Sequence, residues 1–173
     1  AIYTIKMCYE TGVAVFVKPA TIETLQYDIL QYIDYLIPNE KELHKIVSGD
    51  FSIEQKAEML YQRGVKNVIV TLGNKGCYIR NKEYRLFFEA APFEPQDTTG
   101  AADAFISALA VALSEGKDMI HAVVFATYAA GISIARLGAQ PSMPDRTTID
   151  LYQAEIMEKV AVMKQRVNCC EKE

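Results

Sequence analysis

The chain has 173 residues, half of them hydrophobic, which is enough to bury the core of one globular domain over 1–173. Its net charge of -4 and pI near 5.3 argue against nucleic acid or an acidic membrane surface as a partner. No apolar stretch reaches transmembrane length and the first residues lack the build of a signal peptide, so we expect a cytoplasmic protein. The sequence also lacks zinc-site cysteine spacing, a P-loop and a Gly-x-Gly-x-x-Gly fingerprint.

The first half of the chain alternates strand and helix patterns. Strands are predicted where short apolar, β-branched runs meet turn residues, and helices where apolar residues recur every three or four positions. The predicted elements are a strand over 12–18, a helix over 22–33, a strand over 35–37, helices over about 40–47 and 53–63, and strands over 67–72, 77–80 and 84–88. Gly64 fits the position after a helix end, and the tight turn over 81–83 predicts that antiparallel pairing completes the sheet.

The second half of the chain is mostly helical. Residues 101–114 are apolar on nearly every side, which predicts a helix buried within a layered protein. A second helix is predicted over about 118–136 and a third over about 148–166. The apolar face of the third comprises Leu151, Ile156, Val160 and Met163. This order of elements predicts the α/β class, with helices covering the sheet.

The run Asp97-Thr98-Thr99-Gly100-Ala101-Ala102-Asp103 places small residues and an acid at the start of the first of these helices. The first N–H groups of a helix have no intrahelical partner, and together with the helix dipole they attract an anion such as phosphate. An acid is also favoured in a first turn for stability alone, so two explanations of Asp103 stay open here. An acid beside an anion-binding turn points to phosphoryl transfer.

The whole run resembles the signature of ribokinase-type (PfkB) carbohydrate kinases, Asp-Thr-x-Gly-Ala-Gly-Asp, and departs from it only at Ala102. The resemblance implies a three-layer α/β/α ribokinase-like fold and an ATP-dependent sugar kinase. In such an enzyme Asp103 would bind the sugar and act as catalytic base, and the N–H groups of Gly100, Ala101, Ala102 and Asp103 would form the anion hole. Ala102 would also contact ATP, and because its methyl group replaces a bare backbone, we expect nucleotide binding to survive with reduced turnover.

Two explanations fit Asn39 and Glu42. Their spacing is that of a helix N-cap and the reciprocal glutamate of a capping box. The same pair resembles the Asn-x-x-Glu motif of the family, which implies that Asn39 contacts ATP and that Glu42 orients magnesium through water. Both explanations can hold at once. The segment Val17-Lys18-Pro19-Ala20 resembles the Asn-Pro-Ala-Pro segment of ribokinases, with Lys18 in place of asparagine.

The segment after the strand over 67–72 is either an ordinary turn or a nucleotide loop. Glycines at a strand end let the backbone approach a phosphate, and Lys75 would place a cation beside it. The segment resembles the family's Thr-Leu-Gly-x-x-Gly loop. The resemblance implies ATP contacts from Thr71, Leu72, Gly73, Asn74, Lys75 and Gly76, and an adenine contact from Thr127.

Residues 133–144 alone would be only a helix end and a proline-containing loop. They resemble the segment that binds a monovalent cation in the family through carbonyl groups and a serine hydroxyl, and oxygen ligands suit such a hard cation. The resemblance implies a potassium site formed by Asp97, Thr99, Ser133, Arg136, Gly138 and Ser142. The implied cofactors are therefore ATP, Mg²⁺ and K⁺.

The resemblance covers most of the chain and implies that it begins at a helix and strand from the middle of the family fold. The sugar-binding N-terminal part and the lid, through which family members form homodimers, would lie outside it. Ribose is the acceptor that the resemblance favours. A nucleoside kinase of the same superfamily, or a truncated non-catalytic nucleotide-binding remnant, stays open.

Overall fold

The computed structural model describes residues 2–19 and 26–170. Contacts divide the chain into two compact units, Ala1–Phe87 and Phe88–Glu173. The single domain predicted over 1–173 stays a prediction, because compact units of this kind also occur within one domain. Within the described ranges, no helix combines the length and the apolar character that crossing a membrane requires.

The first unit contains the sheet. Its elements are α1 (Ile2–Glu10), β1 (Phe16–Val17), a 3₁₀ helix (Tyr27–Tyr32), β2 (Tyr35–Leu36), α2 (Glu40–Ile46), α3 (Ile53–Gln62), β3 (Asn67–Thr71), a 3₁₀ turn (Gly73–Lys75), β4 (Cys77–Arg80) and β5 (Arg85–Phe88). These strands pair in the order β1-β2-β3-β4-β5. β1, β2 and β3 are parallel, and β4 returns antiparallel to β3. The parallel strands therefore end at one edge of the sheet, where ligands bind in open α/β sheets.

Apolar packing and local capping explain the helices of this unit. Leu36, Leu43 and Leu60 are fully buried in a shared core. A capping box of Ser52 and Gln55 begins α3. Gly64 follows the end of α3 with φ +103°, which confirms the predicted helix end.

The described part of the helix predicted over 22–33 is the 3₁₀ helix Tyr27–Tyr32, and residues 20–25 lie outside the described residues. The strand predicted over 12–18 contains only the two paired residues of β1. Val15 in the first segment and Ile29, Leu30 and Ile33 in the second are buried in the core. The length of a strand depends on its partner, and β2 offers two residues for pairing.

The second unit is helical. Its elements are α4 (Ala101–Ser114), α5 (Met119–Ile134), a 3₁₀ turn (Gln140–Ser142), α6 (Arg146–Asp150) and α7 (Gln153–Cys170). The prediction that 101–114 is buried all round was wrong, since Val111 is 45% exposed and only one face of α4 is buried. The buried helix is α5, in which nearly every residue is enclosed. Alanine makes α4 apolar by composition, but its small side chain gains little from burial, whereas α5 has larger apolar side chains.

The third predicted helix is divided into α6 and α7. Leu151 lies at the break and is 78% exposed, so its placement on the apolar face was wrong, whereas Ile156, Val160 and Met163 are buried as predicted. At the break Tyr152 packs its ring against Phe93, with centroids 5.2 Å apart. This aromatic contact joins residues that are far apart in the chain, and it lies where the helix predicted as continuous is interrupted.

Candidate active site

Two of the predicted nucleotide residues are neighbours at the carboxyl edge of the parallel strands. Asn39 follows β2 and Thr71 ends β3, and the two pair as an isolated parallel bridge. The Thr71 N–H group donates a hydrogen bond to the carbonyl oxygen of Pro38 at 2.9 Å. The sheet thus brings together the Asn-x-x-Glu segment and the glycine loop, which the sequence places far apart.

Asn39 and Glu42 form the predicted capping box. Asn39 Oδ1 accepts a hydrogen bond from the Glu42 N–H group at 2.9 Å, and Glu42 Oε2 accepts one from the Asn39 N–H group at 2.7 Å. The capping explanation is confirmed, and the contact of Asn39 with ATP and the magnesium role of Glu42 stay predictions. Lys18 forms an ion pair with the same Glu42 oxygen, a contact that sequence reasoning missed. The sequence did contain a signal for this contact, because Lys18 is a cation at a position where ribokinase-type kinases have a neutral asparagine.

The glycine loop is closed by its own backbone. The Leu72 N–H group donates to Gly76 O at 2.8 Å, and the Gly76 N–H group donates to Gly73 O at 3.0 Å. Gly73 and Gly76 have φ values of +61° and +92°, a region that L side chains rarely adopt. A Cβ atom on Gly73 would meet nothing within 4 Å, so the backbone there faces open space. Asn74 and Lys75 are exposed on the same turn, and the ATP contacts of this loop stay predictions.

In the second unit, Asp97 holds two loops together. Its Oδ1 accepts a hydrogen bond from the Thr99 N–H group and its Oδ2 accepts one from the Gly138 N–H group, each at 2.9 Å. Hydrogen bonds from the Thr99 side chain, then from the Thr99 and Gly138 backbone, hold the pKa of the Asp97 carboxyl below its usual range. The carboxylate form therefore fixes the segment before α4 to the loop after α5.

This pKa shift predicts a pH dependence of stability. A lowered pKa in the folded state means that the contribution of Asp97 is complete above the ordinary pKa of about 3.9 and is lost as the pH falls through the lowered value. We expect the difference in melting temperature between the wild type and D97N to be constant above pH about 5 and to shrink below pH about 4. Melting curves recorded from pH 7 to pH 3 measure it, and a difference that stays constant to pH 3 would contradict the expectation.

The start of α4 has the geometry expected of the anion hole in part. Gly100 is the N-cap with φ +84°, a left-handed conformation. The N–H groups of Ala102 and Asp103 lie in the first turn, where the helix supplies no acceptor. The Ala101 N–H group donates to Thr98 O at 3.3 Å, and the anion hole formed by the four N–H groups stays a prediction. The Asp103 side chain is exposed and makes no hydrogen bond or ion pair with the described residues.

The backbone of Ala102 is not strained. No non-glycine residue in the described ranges has a positive φ, and Ala102 lies within α4. Alanine is favourable in an ordinary helical position. Since the backbone is unstrained, the methyl group can reduce turnover only by crowding a phosphate.

The predicted potassium residues form two hydrogen-bonded groups in the second unit: Asp97, Thr99 and Gly138 make one, and Ser133, Arg136 and Ser142 make the other. Ser133 and Ser142 are fully buried, and their hydroxyl oxygens lie 2.9 Å apart. Ser142 Oγ also donates to Ala139 O at 2.7 Å, and the Arg136 N–H group donates to Ser133 O at 3.1 Å. Hydroxyl, carbonyl and carboxylate oxygens are the donors that a hard monovalent cation takes, so these residues fit the ion. Among the side chains that the structure describes, no three from His, Cys, Asp or Glu residues cluster as a metal site would require.

Thr127 lies on the buried helix α5. Its Oγ1 donates to Val124 O at 2.7 Å, so the hydroxyl proton is already used. Thr127 also lines a pocket of about 360 Å³ in the second unit, together with Phe88, Glu89, Tyr128, Glu158, Lys159 and Arg166. The adenine contact stays a prediction, and it is restricted to the methyl group or the hydroxyl lone pairs of Thr127.

Comparison with known protein families decides the assignment. Residues 4–146 match the family described as pfkB family carbohydrate kinase. The chain belongs to the pfkB family of carbohydrate kinases. The resemblance predicted from the Asp97–Asp103 run is thereby confirmed.

The chain is similar to ribokinases. It is 34% identical over 145 residues to the ribokinase of Bacillus subtilis, covering 84% of this chain and 48% of that one. A crystal structure of ribokinase from Thermotoga maritima has a TM-score of 0.82 at 40% identity, covering 88% of this chain and 53% of that one. Arabidopsis thaliana ribokinase complexed with ribose and ATP has a TM-score of 0.78 at 32% identity, with coverages of 92% and 51%.

These comparisons confirm the predicted ribokinase-like α/β fold. The pfkB family chain spans about half the length of the relatives it matches. Activity, substrates and partners of the whole protein are therefore matters for proposal.

Proposed function

We propose that this pfkB family protein is an ATP-dependent kinase that transfers the γ-phosphoryl group to the hydroxymethyl group of a sugar, and that the sugar is ribose. The observation that carries the proposal is Asp103, an exposed carboxylate in the first turn of α4 with no hydrogen bond or ion pair to the described residues, beside N–H groups to which the helix supplies no acceptor. The similarity to ribokinases, one of them complexed with ribose and ATP, supports ribose as the acceptor.

Asp103 acts as the general base in this proposal. It accepts the proton of the sugar hydroxyl as that oxygen attacks the γ-phosphorus, and positioned proton transfer typically contributes about 10²–10⁴-fold. Because the side chain has no partner in the described residues, no existing hydrogen bond has to break before it accepts a proton. The N–H groups at the start of α4 hold the charge on the transferred group.

Asn39 and Glu42 hold the metal in this proposal. Glu42 has a carboxylate oxygen, Oε1, that no described residue binds, and oxygen ligands are what Mg²⁺ prefers. Magnesium, when bound, neutralises phosphate oxygens of ATP. Glu42 would orient it through water, and Asp97, Ser133 and Ser142 would supply oxygen ligands to K⁺, whose site would keep the start of α4 in place.

An ADP-release assay tests the proposal. The longest form of the protein that can be expressed is incubated with ATP and a panel of sugars and nucleosides, with and without potassium. We expect ribose-dependent ADP release that potassium increases. Release with nucleosides alone would assign a nucleoside kinase, and the absence of acceptor-dependent release with every sugar and nucleoside would leave a non-catalytic nucleotide-binding remnant. A homodimer formed through segments outside this chain stays a prediction.

Removing the Ala102 methyl group is expected to raise turnover. We expect A102G to raise kcat about fivefold, the effect of roughly 1 kcal/mol of relieved crowding on a barrier. ATP affinity stays the same, and the melting temperature falls slightly because glycine is less favourable than alanine in a helix by about 1 kcal/mol. Steady-state kinetics and melting curves measure both effects. Equal turnover of the two proteins would show that the methyl group does not obstruct phosphate.

A further inference from the structure

Lys18 places a positive charge on the carboxylate that the proposed function assigns to the metal. Lys18 directly follows β1, and its ammonium group forms an ion pair with Glu42 Oε2 in the first turn of α2. The two side chains are only 18% and 12% exposed, so water screens the pair incompletely. The same Oε2 also accepts a hydrogen bond from the Asn39 N–H group. One oxygen of Glu42 is thus fully engaged within the protein.

The capping of α2 does not require this lysine. The α3 helix of the same unit begins with an equivalent box, in which Ser52 and Gln55 exchange hydrogen bonds of 2.9 and 3.2 Å without a cation. A neutral glutamine suffices there, so a charged pair at α2 is more than the helix end needs. Burying a charged pair also has a desolvation cost, which gives it little net value for stability. The pair therefore calls for a functional explanation.

An ammonium group and a hydrated divalent cation compete for one carboxylate. The ammonium is a compact unit charge with three donors. It occupies one of the two carboxylate oxygens of Glu42, so only the other is left to bind metal-bound water. It also repels a nearby divalent cation directly. Lys18 and Mg²⁺ therefore oppose each other at Glu42.

We propose that Lys18 is a positioning residue that weakens the hold of Glu42 on the divalent metal and so raises the metal concentration that this protein needs. The inference deepens the proposed function and rests on it. The proposal predicts that the concentration of free divalent metal, rather than that of the nucleotide, limits occupancy of the metal site at Glu42.

Manganese binding in the presence of a saturating non-hydrolysable ATP analogue tests this inference. Mn²⁺ is used as the probe because its free form is measured by electron paramagnetic resonance. We expect K18N to lower the Kd for Mn²⁺ roughly tenfold, the effect of removing one like charge close to the ion. K18M, which keeps the aliphatic stem, is expected to do the same and covers the case in which K18N does not fold.

K66N is the matched control. Lys66 forms an ion pair with Asp34 at 2.6 Å in the same unit, so K66N removes the same net charge without touching Glu42. We expect its Mn²⁺ affinity to equal that of the wild type. We also expect K18N to raise Mn²⁺ affinity by a smaller factor in the E42Q background than in the wild type, because the competition of Lys18 for the Glu42 carboxylate is then absent and only its direct repulsion of the ion is left.

The outcomes separate this inference from the proposed function. Affinity of K18N and K18M equal to that of the wild type, or an equal gain in K66N, would overturn the inference while leaving the kinase proposal intact. Weaker Mn²⁺ binding in K18N would also overturn it, since Lys18 would then support the metal. Failure of the wild type and every variant to bind the ATP analogue, measured calorimetrically with and without metal, would overturn both.

Discussion

Replacing Asp103 with asparagine is expected to lower kcat by about 10²–10⁴-fold while leaving the affinity for ATP unchanged. The amide has nearly the size of the carboxylate but cannot accept the proton of the attacking hydroxyl. The side chain is exposed and has no partner in the described residues, so the change removes no packing. Only the favourable interaction with the helix dipole is lost, about 0.3–1 kcal/mol of stability.

D50N is the control for this substitution. Asp50 is likewise exposed and without a hydrogen bond or ion pair in the described residues, but it lies outside the predicted site. We expect D50N to keep full activity. Steady-state kinetics, nucleotide titration and melting curves are measured for both variants. If D103N keeps full turnover and loses only a fraction of a kcal/mol in stability, the acid of the first turn is structural and the assignment of the base is wrong.

Replacing Gly100 with alanine is expected to damage both stability and turnover. A non-glycine residue at φ +84° costs about 1–2 kcal/mol, which corresponds to about 2–8 °C in melting temperature. The new Cβ atom would also lie 2.8 Å from Met143 Cε and 3.4 Å from Ala139 Cα. Met143 Cε is the end of a flexible side chain and can move aside, so the strain of the left-handed backbone is what displaces the start of α4. We expect turnover to fall by about 10²-fold, as when one donor to a developing negative charge is misplaced.

G116A separates the two effects. Gly116 lies at the other end of α4 with a similar φ of +78°, and a Cβ atom there would meet nothing within 4 Å. We expect G116A to lose a similar amount of stability but to keep its turnover. Melting curves and kinetics on the two variants measure the contrast. Equal turnover of G100A and the wild type would show that the backbone at the start of α4 takes no part in catalysis.

Features that depend on a few consecutive residues were predictable from the sequence. The capping box of Asn39 and Glu42, the end of α3 at Gly64 and the start of α4 after Gly100 each depend on contacts within about one helical turn. The alternation of strands and helices likewise gave the α/β class, since period and length are local properties. The Asp97–Asp103 run indicated the family for the same reason, because its residues are contiguous.

Burial and helix continuity were harder to predict. Apolar composition identified both α4 and α5 as helices but assigned the buried position to the wrong one. It also joined α6 and α7 into one helix, because the packing of Tyr152 against Phe93 involves residues far apart in the chain. Composition measures how much burial a segment tolerates, and the neighbours available in the fold decide how much it receives.

The sequence by itself therefore determined the family, the order of elements and the identity of the candidate catalytic residues, since short-range patterns carry all three. Only the tertiary structure decided which of those residues touch. It made Asn39 and Thr71 neighbours, joined Asp97 to Gly138, and placed Lys18 on Glu42. Each of these contacts closes a long loop, and its free energy depends on packing and strand pairing elsewhere in the same unit, which no local pattern of residues encodes.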